Sequence, residues 1–165
     1  MCRFKLFALL NIALFILGIT MIDFAVAGEK VKLHGTSVTT KSHQMEVGDE
    51  EGHVIILSES KQVYFNEKTG EKLTRVGQNI IDINMKTGKG TVKGYGVMPS
   101  PNGDKRFTIS EGKPAGKGHW KGTYTYTGGT GKFEGIKGGG TWDTFSLAPG
   151  ISYAETEGEM EISGQ

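Results

Sequence analysis

The sequence predicts an all-β fold, an antiparallel closed barrel of about eight strands behind an N-terminal signal peptide. Three observations lead there. Glycine supplies 26 of the 165 residues, and each glycine inside a helix costs about 1 kcal/mol relative to alanine. No window after Gly28 carries an apolar 3.6-residue period long enough for a helix. Short β-branched and aromatic runs instead alternate with Gly, Asn, Asp and Pro turns at regular spacing.

The first 27 residues stand apart from the fold. Arg3 and Lys5 form a positive start, the stretch from Leu6 to Ile22 is almost continuously apolar, and Ala25-Val26-Ala27 offers small residues where a signal peptidase cleaves. The expected domains are therefore a signal peptide over 1–27 and a single barrel over 28–165. Cleavage after Ala27 exports the protein to the periplasm or the medium, with no membrane contact once the leader has gone. An uncleaved anchor is the alternative, since the apolar run is near the lower limit for spanning a bilayer. The lone cysteine, Cys2, leaves with the leader, so neither a disulfide framework nor a thiolate metal site is available. Loss of Arg3, Lys5 and Asp23 reduces 19 basic and 18 acidic residues to 17 of each. This balance gives no electrostatic footprint for nucleic acid or an anionic membrane.

The strands are read in order over residues 32–40, 53–65, 73–85, 90–98, 105–111, 118–127, 139–147 and 153–163. Glu67-Lys68-Thr69-Gly70 separates the second from the third, and Lys86-Thr87-Gly88 the third from the fourth. Pro101-Asn102-Gly103-Asp104 precedes the fifth, and Gly128-Gly129-Thr130-Gly131 follows the sixth. Connections this short favour a meander, and eight strands close with room for packed side chains or one small ligand. Closure also removes exposed edges. An open sandwich is the competing architecture.

Two strands show clear alternation. Trp120, Gly122, Tyr124 and Tyr126 fall on one face, with His119, Lys121, Thr123, Thr125 and Thr127 on the other. In the last strand Glu155, Glu157, Glu159 and Glu161 oppose Ala154, Thr156, Gly158, Met160 and Ile162. The glutamates read as a solvated face set against lysines of a neighbour. Successive positions on one strand face lie too far apart to converge on Ca²⁺. Ile81, Ile83 and Met85 alternate with Asp82 and Asn84, which places Asp82 in solvent.

Motifs for covalent, metal or nucleotide chemistry are missing. Gly131-Lys132 is followed by Phe133, so it is no phosphate loop, and Glu134 replaces the last glycine of a dinucleotide fingerprint. His34, His43, His53 and His119 form no metal-ligand spacing. No G-x-S-x-G occurs, and scattered Ser, His and Asp define no triad. No metal or cofactor is expected, and no catalytic residue is assigned. The aromatics carry more information. Trp120, Tyr124 and Tyr126 share a face, with Phe107, Trp142 and Phe145 on adjacent strands. They either fill the barrel or line an apolar pocket in which a Tyr hydroxyl orients a ligand.

The run from Tyr124 to Trp142, Tyr-Thr-Tyr-Thr-Gly-Gly-Thr-Gly-Lys-Phe-Glu-Gly-Ile-Lys-Gly-Gly-Gly-Thr-Trp, resembles the strand–GGTG–aromatic–strand signature of the allene oxide cyclase-like and dirigent-like β-barrels. Gly128, Gly129, Thr130 and Gly131 match the turn, and Phe133 matches the aromatic that packs back onto the barrel. The stretch from Met45 to Val54 is similar to the approach to the first long strand in bacterial exported members of that superfamily. Dirigent proteins typically carry Ala-Arg-Gly where this chain has Ile136-Lys137-Gly138, and the polar catalytic residues of the cyclases do not map here. The resemblance therefore implies the barrel and leaves its activity open. Three functions follow as expectations. The first is a non-enzymatic barrel holding a small hydrophobic ligand against Phe107, Trp120, Tyr124, Tyr126 and Trp142. The others are a cofactor-free isomerase or cyclase, and a structural or interaction domain with a filled core, with homo-oligomers possible.

Overall fold

The structure, a computed structural model, describes residues 28–162. The predicted signal peptide lies outside the described residues, as does Ser163 at the end of the last predicted strand. Eight strands follow in chain order: β1 (Glu29–Glu46), β2 (His53–Asn66), β3 (Lys72–Asn84), β4 (Lys89–Pro99), β5 (Lys105–Gly116), β6 (His119–Gly129), β7 (Ile136–Ala148) and β8 (Ile151–Ile162). Each pairs antiparallel with the next, and β8 returns to β1, so the sheet is a closed barrel. Closure rules out the open sandwich.

Two strands run further than their local sequence predicts. The polar stretch from Lys41 to Glu46 shows no apolar alternation, yet it continues β1 beyond a register shift after Thr39 because the ladder to Val54–Glu59 of β2 holds it. It has no partner on β8, whose pairing with β1 stops at Val38↔Ile151. β5 continues through Pro114, which lacks an N–H. Its pairing with β4 ends at Gly112, so Pro114 pairs only with Trp120 of β6 and its missing donor costs no ladder bond.

An up-and-down barrel has two unlike ends. At one, the starts of odd strands and the finishes of even strands meet in an apolar plug. Val31, Leu33, Tyr64, Leu73, Met98 and Ala154 are buried there, beside a second cluster of Tyr126, Phe133 and Ile136, and Met160 packs against both. Phe133 reaches the plug from the β6–β7 loop, through a single 3-10 turn at Gly131–Phe133. Gly131 takes φ +57°, a left-handed conformation that favours glycine. The loop is tied to the start of β5: Lys105 N–H donates to Thr130 Oγ1 at 3.0 Å, and Thr130 N–H donates to the Lys105 carbonyl at 2.9 Å. Gly129 is needed for close approach, since a Cβ there would lie 2.6 Å from Cβ of Phe133.

The outer surface follows the predicted alternation. Glu155, Glu157, Glu159 and Glu161 are exposed. Lys32 and Lys30 of β1 stand opposite Glu157 and Glu159, and Lys137 of β7 opposite Glu161. Asp82 is exposed as well, bonded to Nε2 of His53 at 2.9 Å.

Candidate functional site

Above the plug the barrel is hollow. A cavity of about 260 Å³ is enclosed by inward-facing residues of all eight strands. An apolar cavity of about 150 Å³ accommodates benzene, so this one has room for a planar molecule of one to two rings. The filled core considered from the sequence is not what the barrel contains.

One wall is aromatic. Trp120, Tyr124 and Tyr126 of β6 and Trp142 of β7 line the cavity. Tyr124 and Tyr126 meet edge to face, with ring centroids 5.6 Å apart at 90°, the favoured quadrupole arrangement. Trp142 lies opposite Gly122, and its Nε1–H donates to the Thr123 carbonyl at 3.0 Å. Its ring crosses β6 as far as Gly112 on β5, where any Cβ would strike Cζ2 and Cη2 of the indole. Burial pushes the Tyr124, Tyr126 and Tyr64 phenols above their ordinary value. They stay neutral, so each keeps its phenolic hydrogen.

The facing wall is polar. Ser58, Ser60 and Gln62 of β2, with Arg75 and Asn79 of β3, line it. Gln62 is the hub. Its Oε1 accepts from Nη1 of Arg75 at 2.8 Å and from the Tyr64 hydroxyl at 3.3 Å, while Nε2 donates to Ser37 Oγ at 3.4 Å and Ser60 Oγ at 3.3 Å. Loss of solvent lowers the pKa of Arg75 from its ordinary value. Among the described residues Arg75 has no carboxylate partner, and the cavity lining contains no Asp, Glu or His. Thr108 and Thr156 also line the cavity, each with a buried Oγ1 that no group among the described residues engages.

Four of the five predicted ligand-binding residues come together on the aromatic wall. Phe107 does not. Its neighbours Arg106 and Thr108 are the buried, inward positions, and Phe107 pairs with exposed Val97 on the outer face. The reason lies at the plug, where Arg106 turns inward to lie over the Phe133 ring, 4.7 Å from its centroid. Phe145 also faces outward, stacked on His119 with centroids 4.4 Å apart. Gly128, Gly129, Thr130, Gly131 and Phe133 build the closed end and not the cavity. Arg75, Gln62 and the hydroxyl ring were missed. A signal for Arg75 was present: stepping back by twos from Ile81, along the face already recognised, reaches Asn79, Gly77 and Arg75.

Comparison with protein families and with curated sequences finds no match. Among solved structures, the chain is similar to the pterocarpan synthase dirigent protein PsPTS1, with a TM-score of 0.51 at 11% identity over 84% of this chain and 99% of that one. It is also similar to the pterocarpan synthase dirigent protein GePTS1, with a TM-score of 0.52 at 13% identity over 88% of this chain and 95% of that one. Likeness at this identity speaks for backbone architecture. The fold of this chain is thus the eight-stranded dirigent-like barrel.

Proposed function

We propose that the barrel is a non-enzymatic binding protein for a small, largely apolar molecule held in its interior. The observation that carries this is the 260 Å³ cavity, with Trp120, Trp142, Tyr124 and Tyr126 on one wall and hydroxyls on the other. The indoles and phenols supply apolar area. The neutral Tyr hydroxyls and the Ser and Thr ring fix orientation through a few polar contacts, the usual division of labour in a ligand pocket. Export is proposed with it: β1 begins at Glu29, directly after the predicted cleavage site. A second function, as a cofactor-free isomerase or cyclase, draws on the similarity to two pterocarpan synthases. Among the described residues the lining supplies hydrogen-bond donors for such chemistry but no carboxylate or imidazole base.

Both tryptophans of the chain line the cavity, so indole emission reports on occupancy. Titration with the neutral probe naphthalenemethanol is expected to give a saturable change in emission, lost when Ser110→Phe and Thr144→Phe fill the space. Native mass spectrometry of the protein from its own host is expected to show a bound small molecule and an N-terminus at Gly28. No saturable emission change together with a ligand-free mass would overturn the binding function.

A further inference from the structure

We propose that the cavity is specific for a planar apolar molecule carrying a single carboxylate, and that Arg75 is the residue that receives it. This rests on the binding function above and narrows it to a ligand class.

Arg75 lies on the cavity wall with one protein acceptor, the neutral Oε1 of Gln62, taken by Nη1. Nε and Nη2 have no acceptor among the described residues, and no ion pair includes this guanidinium. A guanidinium withdrawn from water and left without a counter-charge is costly, which makes it unusual unless something else supplies the anion. Its position is built. Gly77 on β3 and Gly96 on β4 leave the space that it occupies: a Cβ at Gly77 would stand 2.7 Å from Nη1, and one at Gly96 would collide with Nε and Nη2. Gln62, which holds Nη1, is itself held by Ser37, Ser60 and Tyr64. The guanidinium, held against Gly96 along its Nε–Nη2 edge, carries the positive charge that a carboxylate in the cavity would answer, a charge-assisted contact stronger than one to a neutral oxygen.

The remainder of the cavity sets the other half of the ligand. Among the described residues the lining holds no acidic side chain to repel an anion or compete for the cation. The wall of Trp120, Trp142 and Tyr124 offers flat apolar surface to the body of the molecule.

The test compares two probes of one shape, naphthoate and naphthalenemethanol, by calorimetry and indole emission. In the wild type, naphthoate is expected to bind at least tenfold more tightly, the range for a charge-assisted bond over a neutral one. Arg75→Gln is expected to weaken naphthoate roughly ten- to hundredfold and so to erase its preference over naphthalenemethanol, whose saturable binding shows that the variant is folded. Arg75→Lys keeps the charge but loses the guanidinium's bond to Gln62 that positions it, and is expected to fall between. Equal affinity for both probes in the wild type overturns the assignment and leaves the binding function standing. That ratio needs no variant. An Arg75→Gln protein that binds the alcohol and retains full naphthoate affinity overturns it as well. Binding of neither probe removes the binding function and the assignment together.

Discussion

His53 stands between two carboxylates at the end of the barrel away from the plug, with Nδ1 2.7 Å from Oδ1 of Asp49 and Nε2 2.9 Å from Oδ1 of Asp82. The Asp82 bond, then the Asp49 bond, raises the imidazole above its ordinary 6.5. The same contact lowers Asp49 below its ordinary 3.8. The two signs combine into one window. A raised histidine stabilises fully below 6.5 and loses its contribution as pH climbs through the raised value. A lowered aspartate contributes fully above 3.8 and loses its share as pH falls through the lowered value. The clamp from the β1–β2 loop to β3 is therefore complete between those two pH values and loosens on either side. Proton NMR is expected to place the His53 midpoint above 6.5. Asp82→Asn is expected to bring it down further than Asp49→Asn does. A His53 midpoint at 6.5 in the wild type would contradict the clamp.

β3 is bounded by the same five-residue loop at both ends, Asn66-Glu-Lys-Thr-Gly70 and Asn84-Met-Lys-Thr-Gly88. In the first, Asn66 Oδ1 accepts from the N–H groups of Lys68 at 2.9 Å and Thr69 at 3.1 Å. In the second, Asn84 Oδ1 accepts from Lys86 at 3.0 Å and Thr87 at 3.1 Å. Gly70 and Gly88 close the loops at φ +69° and +68°. Asn66→Ala and Asn84→Ala are each expected to cost about 1 kcal/mol, as for other side-chain caps of backbone N–H groups. In thermal unfolding each should lower Tm by roughly 3–5 °C. The pair should be additive, because a strand of this length separates the sites by roughly 40 Å. A double variant far from the sum would mean that the loops are coupled through β3. Such turns were legible in sequence because their chemistry is local, carried by an Asn and a Gly four residues on. The far half of β1 was not, because Lys41–Glu46 belongs to a strand only through its partner on β2. Phase near Phe107 was hidden for a related reason. An alternating Arg-Phe-Thr run reads as aromatic inside and cation outside, and Phe133, brought in by the β6–β7 loop, reverses it. The aromatic half of the site was readable from one strand's alternation. The Arg75–Gln62 half depends on pairing across β2 and β3.

Across the whole molecule, a packed apolar plug and a cavity divide one barrel between them, meeting at Leu33, Tyr64, Met98 and Tyr126. The plug gathers the clustered buried apolar residues, while the cavity wall is rich in hydroxyls. Polar positions that would add to the core if apolar face the hollow instead, an exchange of stability for function if the barrel binds as proposed. The two ends should then respond differently to loss of a large aromatic. Phe133 is buried between Tyr126 and Ile136 and lies under Arg106. Phe133→Ala leaves a void and an uncovered guanidinium, so a loss of about 3–5 kcal/mol is expected, with Tm falling by roughly 10 °C or more. The affinity for naphthalenemethanol, measured well below that Tm, should stay within about twofold of wild type. Trp120 is half-buried on the wall of an existing cavity, and Trp120→Ala removes packing on one side only. Its expected stability cost is about 1 kcal/mol or less, whereas affinity for the same probe should fall about tenfold or more with the loss of its apolar contact area. Comparable losses of stability and affinity in both variants would show that the barrel works as a single unit, with no separation between its ends.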